Sequence, residues 1–403
     1  MKHLEAYADL LLQAGINLQP GQEISLGSEP VHWDFINLLA KRAYQLGAKN
    51  VACNIIHPGF GKARVDHSHE EHLDYVPDYA VTRLEHFAAT GAASLYVGGS
   101  EHPQLMKDID QKRNGVIQKS RRLAFKNYRE ATSSSRIPWC FCELPTPAWA
   151  EQVLGEPDVE ALWDILVPIL RLDTPDPIAT WRELADTLGK RAAALDAMKV
   201  VKLHFEAPGT DLEVHIPEPC RWLGGSAQLP DGTVFMPNLP TEEIFTSPDF
   251  RKTSGRAQVT RPVEVLGSEV HGAWFEFADG EVVDYGAESG KERLDTFFEL
   301  DEKARRLGEV ALVDSGSPIF QSGRIFHSIL YDENAACHIA LGSSYADTYE
   351  GGPDLSEEER FAVGLNQSLL HTDFMIGCDG LRVTGTDTGG AEVPIMEDGT
   401  FAI

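Results

Sequence analysis

Polar side chains of the kind that bind metals interrupt an otherwise apolar, strand-like stretch between residues 328 and 376. Among them are Glu333, His338, Tyr345, His371 and Asp373. Acids and imidazoles placed among apolar residues need partners that offset the cost of removing them from water. This mixture of carboxylates and imidazoles predicts a divalent metal ion as that partner.

The two halves of the stretch differ in their expected geometry. The second half predicts a buried strand, in which His371 and Asp373 lie two residues apart and project from one face. Glu333 and His338 are five apart, so a straight strand would point them to opposite faces. Residues 332–334 read as a turn, and we therefore predict that Glu333 lies on a loop and His338 inside the next strand.

The overall charge limits the class of partner. The 403 residues include 35 basic and 62 acidic side chains, for a net charge of -27. Nucleic acids and anionic membranes both favour clustered Lys and Arg, so neither is expected as a partner. Residues 1–20 lack a signal-peptide core, and no apolar run reaches the roughly 18 residues of a membrane span. We expect a cytoplasmic protein.

The six cysteines are sparse and show no CxxC spacing. This pattern predicts reduced thiols and indicates neither a disulfide framework nor a zinc ribbon. Cys140 and Cys142 are two apart in an extended segment, where they would share one strand face.

The secondary-structure pattern of the sequence changes near residue 198. The first half alternates helix and strand signals, which favours a parallel sheet with covering helices, and its glycines form no phosphate-binding motif. A long helix beginning at Asp176-Pro177 connects this half to strand signals with glycine turns. We predict an N-terminal α/β domain with a mostly parallel sheet at 1–198 and a C-terminal β-rich α+β metal-binding domain at 199–403.

Two further segments of the second half carry candidate acids. Glu242 and Glu243 are consecutive, so only one of them can point into a given pocket if the segment is extended. A helix is predicted over 291–306, ending at 307–308, with Glu309 opening the buried strand 310–313. A carboxylate directly before a buried strand is well placed for a site.

A histidine-rich segment is a rival metal candidate. Residues 66–72 contain His67, His69 and His72 together with three acids. The spacing misses the HExxH pattern by one residue. The segment favours a solvated helix start with acids near the positive end of the helix dipole.

Five segments together resemble the metallopeptidase family of aminopeptidase T and aminopeptidase S. The matching pieces are PNLPTEEIFT (237–246), LGEVALV (307–313), SPIF (317–320), LYDENAACHIALGSSY (330–345) and HTDFMIG (371–377). The opening segment AYADLLLQAGINLQPGQ is also similar to the N-terminal domain of that family. The resemblance implies a homodimeric enzyme that removes single residues from the free N-terminus of peptides.

The resemblance also implies a site with two divalent metals per chain. Their ligands would be Glu243, Glu309, Glu333, His338, His371 and Asp373, with Glu309 as the bridge and Tyr345 beside the metals. Four carboxylates and two imidazoles form a hard donor set suited to Zn, Co, Mn or Mg. The remaining acid, Glu242, would act as general base or bind the substrate ammonium, and the Tyr345 hydroxyl would stabilise an oxyanion.

Other interpretations remain open at this stage. Singly, each residue has a structural explanation: Glu309 could pair with Arg305 or Arg306, and Tyr345 could be a core aromatic. A mononuclear non-haem iron ring-cleaving dioxygenase needs only about three ligands. A catalytically inactive metal-binding homologue is the third alternative.

Overall fold

A computed structural model describes residues 1–106 and 109–403 of the chain. Packing divides the chain into two compact units. Unit 1 comprises Met1–Arg182 and Ser226–Leu239, and unit 2 comprises Glu183–Gly225 and Pro240–Ile403. Compact units need not coincide with independently folding domains, so the domains 1–198 and 199–403 stay predictions.

Unit 1 is built on a parallel sheet, as the alternating pattern predicts. Its helices are α1 (Leu4–Leu10), α2 (Trp33–Gln45), α3 (Pro58–His67), α4 (Asp78–Thr90), α5 (Gln111–Ala124), α6 (Lys126–Ser133), α7 (Pro147–Leu154), α8 (Val159–Ile169) and the first turns of α9 (Pro177–Met198). Its strands are β1 (Glu23–Ser28), β2 (Asn50–Ile55), β3 (Ala93–Gly98), β4 (Trp139–Glu143), β8 (Ala227–Gln228), β9 (Val234–Phe235) and β10 (Asn238–Leu239). Five of these strands form the parallel sheet in the order β10-β4-β3-β1-β2.

The connecting helix begins where the sequence predicts. The Asp176 carboxylate accepts a hydrogen bond from the backbone N–H of Ala179 at 3.0 Å, which satisfies a free N–H of the first turn. A backbone N–H at the first helical position has no partner within the helix. Pro177 occupies that position and carries no N–H. Among the described residues, no helix is both long enough and apolar enough to cross a membrane.

Unit 2 contains two large antiparallel sheets and a separate antiparallel hairpin of two strands. Its strands are β5 (Val200–Ala207), β6 (Thr210–His215), β7 (Leu223–Gly224), β11 (Glu243–Thr246), β12 (Ser254–Gln258), β13 (Val263–Val265), β14 (Ser268–Val270), β15 (Trp274–Ala278), β16 (Glu281–Gly286), β17 (Leu307–Val313), β18 (His338–Gly342), β19 (His371–Met375), β20 (Arg382–Asp387), β21 (Glu392–Glu397) and β22 (Thr400–Phe401). Its helices, besides the end of α9, are α10 (Lys291–Leu300), α11 (Pro318–Gln321), α12 (Ile329–Asp332) and α13 (Glu357–Ala362). The larger sheet has the order β16-β15-β12-β6-β5-β20-β21-β22, and the smaller has the order β19-β18-β17-β11-β7.

The hydrophobic core of unit 2 fills one face of the smaller sheet. Val310, Ile339 and Phe374 from this sheet belong to the same buried cluster as Phe275 of the larger sheet. The rings of Phe275 and Phe374 are 4.8 Å apart in an edge-to-face arrangement. Because side chains alternate along a strand, the neighbours of these core residues must point to the opposite face. The α/β and α+β fold class predicted from the sequence is confirmed.

Two local predictions are wrong. The helix predicted over 291–306 ends at Leu300, because Asp301 is extended and its side chain accepts from the N–H of Lys303, which starts a separate 3-10 turn. The following strand then begins at Leu307, so Glu309 is its third residue and does not precede it. The histidine cluster also lies at the end of α3 and in the following turn, not at a helix start.

Candidate metal centre

Strand register brings five of the predicted ligands to one face of the smaller sheet. Directly paired residues in adjacent strands project from the same face. Glu243 pairs with Val313 and His338 pairs with Ala311, which places both on the face of Glu309. Ala340 pairs with Glu309 on one side and with Asp373 on the other, and Gly342 pairs with His371. The core residues Val310, Ile339 and Phe374 face the other way.

A bulge directly precedes Glu309 in β17. The register between β17 and β18 shifts between Leu307 and Glu309, so Gly308 is the extra residue. A Cβ atom at Gly308 would lie 2.3 Å from the carbonyl oxygen of Ser343, which only glycine avoids. The shift displaces Leu307, whereas residues 309–311 keep one continuous register with residues 340–338.

The two oxygens of Glu309 face two different groups of side chains. Oε2 lies 3.2 Å from Nε2 of His371, and Oε1 lies 4.0 Å from Nε2 of His338. Glu309, His338 and Glu243 can bring ligand atoms within 4.8 Å of one another, and so can Glu309, His371 and Asp373. The carboxylate of Glu309 is therefore the member that both groups share.

Burial and the charges of neighbouring groups shift the pKa values of the side chains in this cluster. Burial raises the pKa of Glu243 to about 7, against the opposing effect of His338, whose Nε2 lies 3.3 Å from Glu243 Oε2. Burial alone would lower the pKa of both histidines, but the surrounding carboxylates raise it. Burial would also raise the pKa of Asp373, and the nearby charge of His371 holds it below its usual value.

Glu333 opens a 3-10 turn that continues directly from α12, where the sequence predicts a loop, and His338 begins β18 as predicted. Glu333 belongs to neither three-residue group. Burial raises its pKa well above the usual range, and the negative charges of Glu243, Asp373 and Glu309 raise it further. Its carboxyl group is thus part of the same electrostatic cluster.

Backbone carbonyls orient both imidazole rings. Nδ1 of His371 lies 2.8 Å from the carbonyl oxygen of Ser343, and Nδ1 of His338 lies 3.2 Å from that of Ala336. With Nδ1–H donating to a carbonyl, each ring presents Nε2 to the carboxylates as an available ligand atom. The sequence does not reveal these two carbonyls, because backbone partners leave no residue signature.

Tyr345 borders the cluster, and Glu242 directly precedes the cluster residue Glu243 in the chain. The Tyr345 hydroxyl lies 3.4 Å from His371 Nε2, and its ring packs edge-on against Phe245 with centroids 5.4 Å apart. The ring is 42% exposed, but burial of the hydroxyl and the charges of Glu309 and Asp373 raise its pKa well above 10. Glu242 is only 6% exposed and directly precedes β11, whereas Glu243 carries the carboxylate on the site face.

The chemistry of the cluster fits a bound cation. Glu243 Oε2 and Asp373 Oδ1 are buried and find no hydrogen-bond partner among the described residues. Two imidazoles, even if both were protonated, cannot balance the four carboxylates of Glu243, Glu309, Glu333 and Asp373. A buried excess of negative charge is costly unless cations compensate it. Oxygen and imidazole ligands without thiolate suit divalent ions such as Zn²⁺ or Mn²⁺.

The histidine cluster of unit 1 does not form a comparable site. Glu70, Glu71 and His72 form an exposed turn, and no group of three metal-binding side chains occurs there in the described part of the chain.

We expect the triple variant His67→Ala, His69→Ala, His72→Ala to keep metal content and turnover within about twofold of wild type. Metal analysis and initial rates check this, and a loss beyond about tenfold, roughly 1.4 kcal/mol, would contradict it.

Comparison with known proteins identifies the class of this centre. Residues 1–401 match the family described as thermophilic metalloprotease (M29), and the chain belongs to that family. Aminopeptidase 2 of Geobacillus stearothermophilus is 38% identical over 405 residues, covering 100% of this chain and 98% of that protein. Aminopeptidase T of Thermus aquaticus is 36% identical over 406 residues, covering 100% and 99%. The solved structure of wild-type AmpT from Thermus thermophilus matches with a TM-score of 0.90 at 35% identity, covering 100% of this chain and 99% of that one.

The family confirms the resemblance seen in the motifs. It also establishes the coarser part of the cofactor prediction, since a metalloprotease uses a divalent metal.

Proposed function

We propose that this protein is a dinuclear metallo-aminopeptidase that removes single residues from the free N-terminus of peptides. It is a metal-dependent aminopeptidase on the strength of its family and of its full-length aminopeptidase relatives. One observation supports two metals in particular: the Glu309 carboxylate turns its oxygens toward two separate groups of ligands. A carboxylate shared in this way is the arrangement that two-metal hydrolases use.

Six residues would hold the ions. Glu243, Glu309 and His338 would form one group, and Glu309, His371 and Asp373 the other. We include Glu333 because its carboxyl is buried beside the others and shares their electrostatics. When bound, two divalent ions would polarise the peptide carbonyl and lower the pKa of a coordinated water toward neutrality.

The charge balance of the centre suits an N-terminal substrate. The four carboxylates of the proposed ligand set offset the charge of two divalent ions. The additional acid Glu242 is buried one residue before Glu243, and we propose that it compensates the ammonium group of a peptide N-terminus. A blocked N-terminus has no charge to pair with Glu242. This supports an exopeptidase over an endopeptidase.

Glu242 and Tyr345 would fill the remaining catalytic roles. Glu242 would accept the proton of the attacking water, or hold the substrate ammonium, from its fixed position before β11. Tyr345 carries its hydroxyl at the edge of the cluster, 3.4 Å from His371. From there it would donate to the oxygen that becomes negative during attack on the carbonyl.

We expect metal-saturated protein to contain two equivalents of divalent metal per chain. The test strips the metal, adds each divalent ion back, and measures elemental content alongside cleavage of aminoacyl anilides. N-acetylated versions of the same peptides are the matched control and should not be cleaved. Full activity with one equivalent or less would contradict the dinuclear proposal, and oxygen-dependent ring cleavage would favour a mononuclear oxygenase instead.

The proposal extends to assembly and location on the strength of the family resemblance. We propose a homodimer acting on peptides in the cytoplasm. Light scattering of the purified protein would give twice the mass of the chain, and cell fractionation would find the enzyme in the cytoplasmic fraction.

A further inference from the structure

Asn334 joins two parts of the centre through a single side chain. It is fully buried, and its Oδ1 accepts a hydrogen bond from the backbone N–H of Glu242 at 2.7 Å. Its Nδ2 donates to the carbonyl of Leu330 at 2.9 Å and lies 3.4 Å from Oε1 of Glu333. One amide therefore contacts the segments that carry two acids of the site.

The strands do not position these two acids. Glu242 lies just before β11, and Glu333 lies in a turn between α12 and β18. The five other acids and imidazoles of the site stand on paired strands, whose ladders fix their spacing. Glu242 and Asn334 are 92 residues apart in the chain, so the hydrogen bond between them is a tertiary link.

A second buried asparagine of unit 2, Asn366, is a useful comparison because its side-chain amide has only a structural role. Asn366 is also fully buried, and its Nδ2 donates to the carbonyl oxygens of Lys303 and Gly342 at 2.8 and 2.7 Å. These bonds join the turn at Lys303 to the end of β18, and within the described part of the chain the side chain makes no hydrogen bond to a carboxylate of the site. Asn334 differs because it contacts Glu333 itself and the backbone of Glu242.

We propose that Asn334 is a positioning residue that holds Glu242 and Glu333 in place relative to each other. The inference rests on the proposed function for the role of Glu242. Asparagine suits this position because it offers an acceptor to an N–H and donors to a carbonyl and a carboxylate at once. Partners that orient metal ligands in this way typically contribute about 10- to 100-fold to metal affinity or activity.

The first test measures metal binding without any turnover. Asn334→Ser removes the amide, and we expect it to weaken the affinity for added Zn²⁺ or Mn²⁺ by about 10- to 100-fold, because Glu333 loses its donor. Asn366→Ser is the matched control: it should lower the melting temperature comparably and leave metal affinity within about twofold. Equal metal affinity for Asn334→Ser and wild type would overturn the role toward Glu333.

The second test is a double-mutant cycle at saturating metal. Asn334→Ser should lower kcat by about 10- to 100-fold in the wild-type background. In the Glu242→Gln background the same change should cost less than about threefold, because a residue that acts through Glu242 loses its effect when that carboxylate is gone. Additive losses would overturn the role toward Glu242.

A near-isosteric variant covers the case in which Asn334→Ser does not fold. Asn334→Asp keeps the acceptor for the Glu242 N–H and removes the donor to Glu333. Its kcat at saturating metal should stay within about tenfold of wild type while its metal affinity shifts by about tenfold or more. Unchanged metal affinity in this variant would contradict the proposal. If wild-type protein binds metal but cleaves no aminoacyl substrate, the proposed function fails while the metal titration still tests the contact with Glu333.

Discussion

Changing Glu309 to glutamine is expected to weaken the binding of both divalent ions without weakening the fold. The substitution keeps the shape of the side chain but removes the negative charge that faces both ligand groups. Repulsion between two cations would then be less compensated. Outer-shell partners typically contribute about 10- to 100-fold to metal affinity. We expect Glu309→Gln to lower metal affinity by more than that.

The fold should respond in the opposite direction. Glu309 is 4% exposed in a strand whose residues are all buried, close to three other carboxylates. In metal-free protein its removal relieves repulsion, so thermal unfolding should show unchanged or slightly higher stability. Chelator competition measures the affinities, and Glu264→Gln, an exposed acid of β13, is the control for charge alone. Retention of both ions at wild-type affinity would show that Glu309 is not the bridge.

The sequence predicts most clearly those features of the centre that depend on local spacing. His371 and Asp373 are two residues apart, and the structure places both on one strand and one face. The turn at Glu333 and the strand at His338 also follow from local signals. Such features depend only on the period of a strand and on turn-forming residues, both of which are visible in the sequence.

The relation between strands is not visible in the same way. Whether Glu309 shares a face with His338 depends on which residues pair, and residues 309–311 pair in one continuous register with residues 340–338. A shift of one residue reverses the face of a side chain. The end of the preceding helix was placed wrongly for a related reason: the sequence does not distinguish a continued helix from the 3-10 turn that Asp301 starts.

Asn334 illustrates a third limit. It directly follows a candidate ligand in an apolar segment, which is a signal that a buried amide needs partners. Its partner on the other segment is a backbone N–H, and any residue at position 242 except proline would offer one. Only the folded chain shows that the amide connects Glu242 with Glu333.

Glu242→Gln is expected to act on turnover and not on metal binding. Glu242 is buried, belongs to neither three-residue group and lies one residue before the site-facing Glu243. If it carries a proton or holds the substrate ammonium, removing its charge should lower kcat/KM by about two to four orders of magnitude, the usual scale for acid and base groups. Both ions should stay bound at wild-type affinity.

The comparison with Glu309→Gln makes this prediction decisive, because the two substitutions remove the same charge a short distance apart. A matched control is Glu29→Gln, which changes another buried glutamate, 8% exposed, that accepts from the N–H of Glu101 in unit 1 and should leave turnover unchanged. Rates against an aminoacyl anilide and metal content would be measured on the same preparations.

A fall in kcat would indicate proton transfer, whereas a rise in KM alone would indicate binding of the ammonium group. Loss of one ion from Glu242→Gln, with both retained in Glu309→Gln, would instead make Glu242 the metal ligand and require the centre to be reassigned around it.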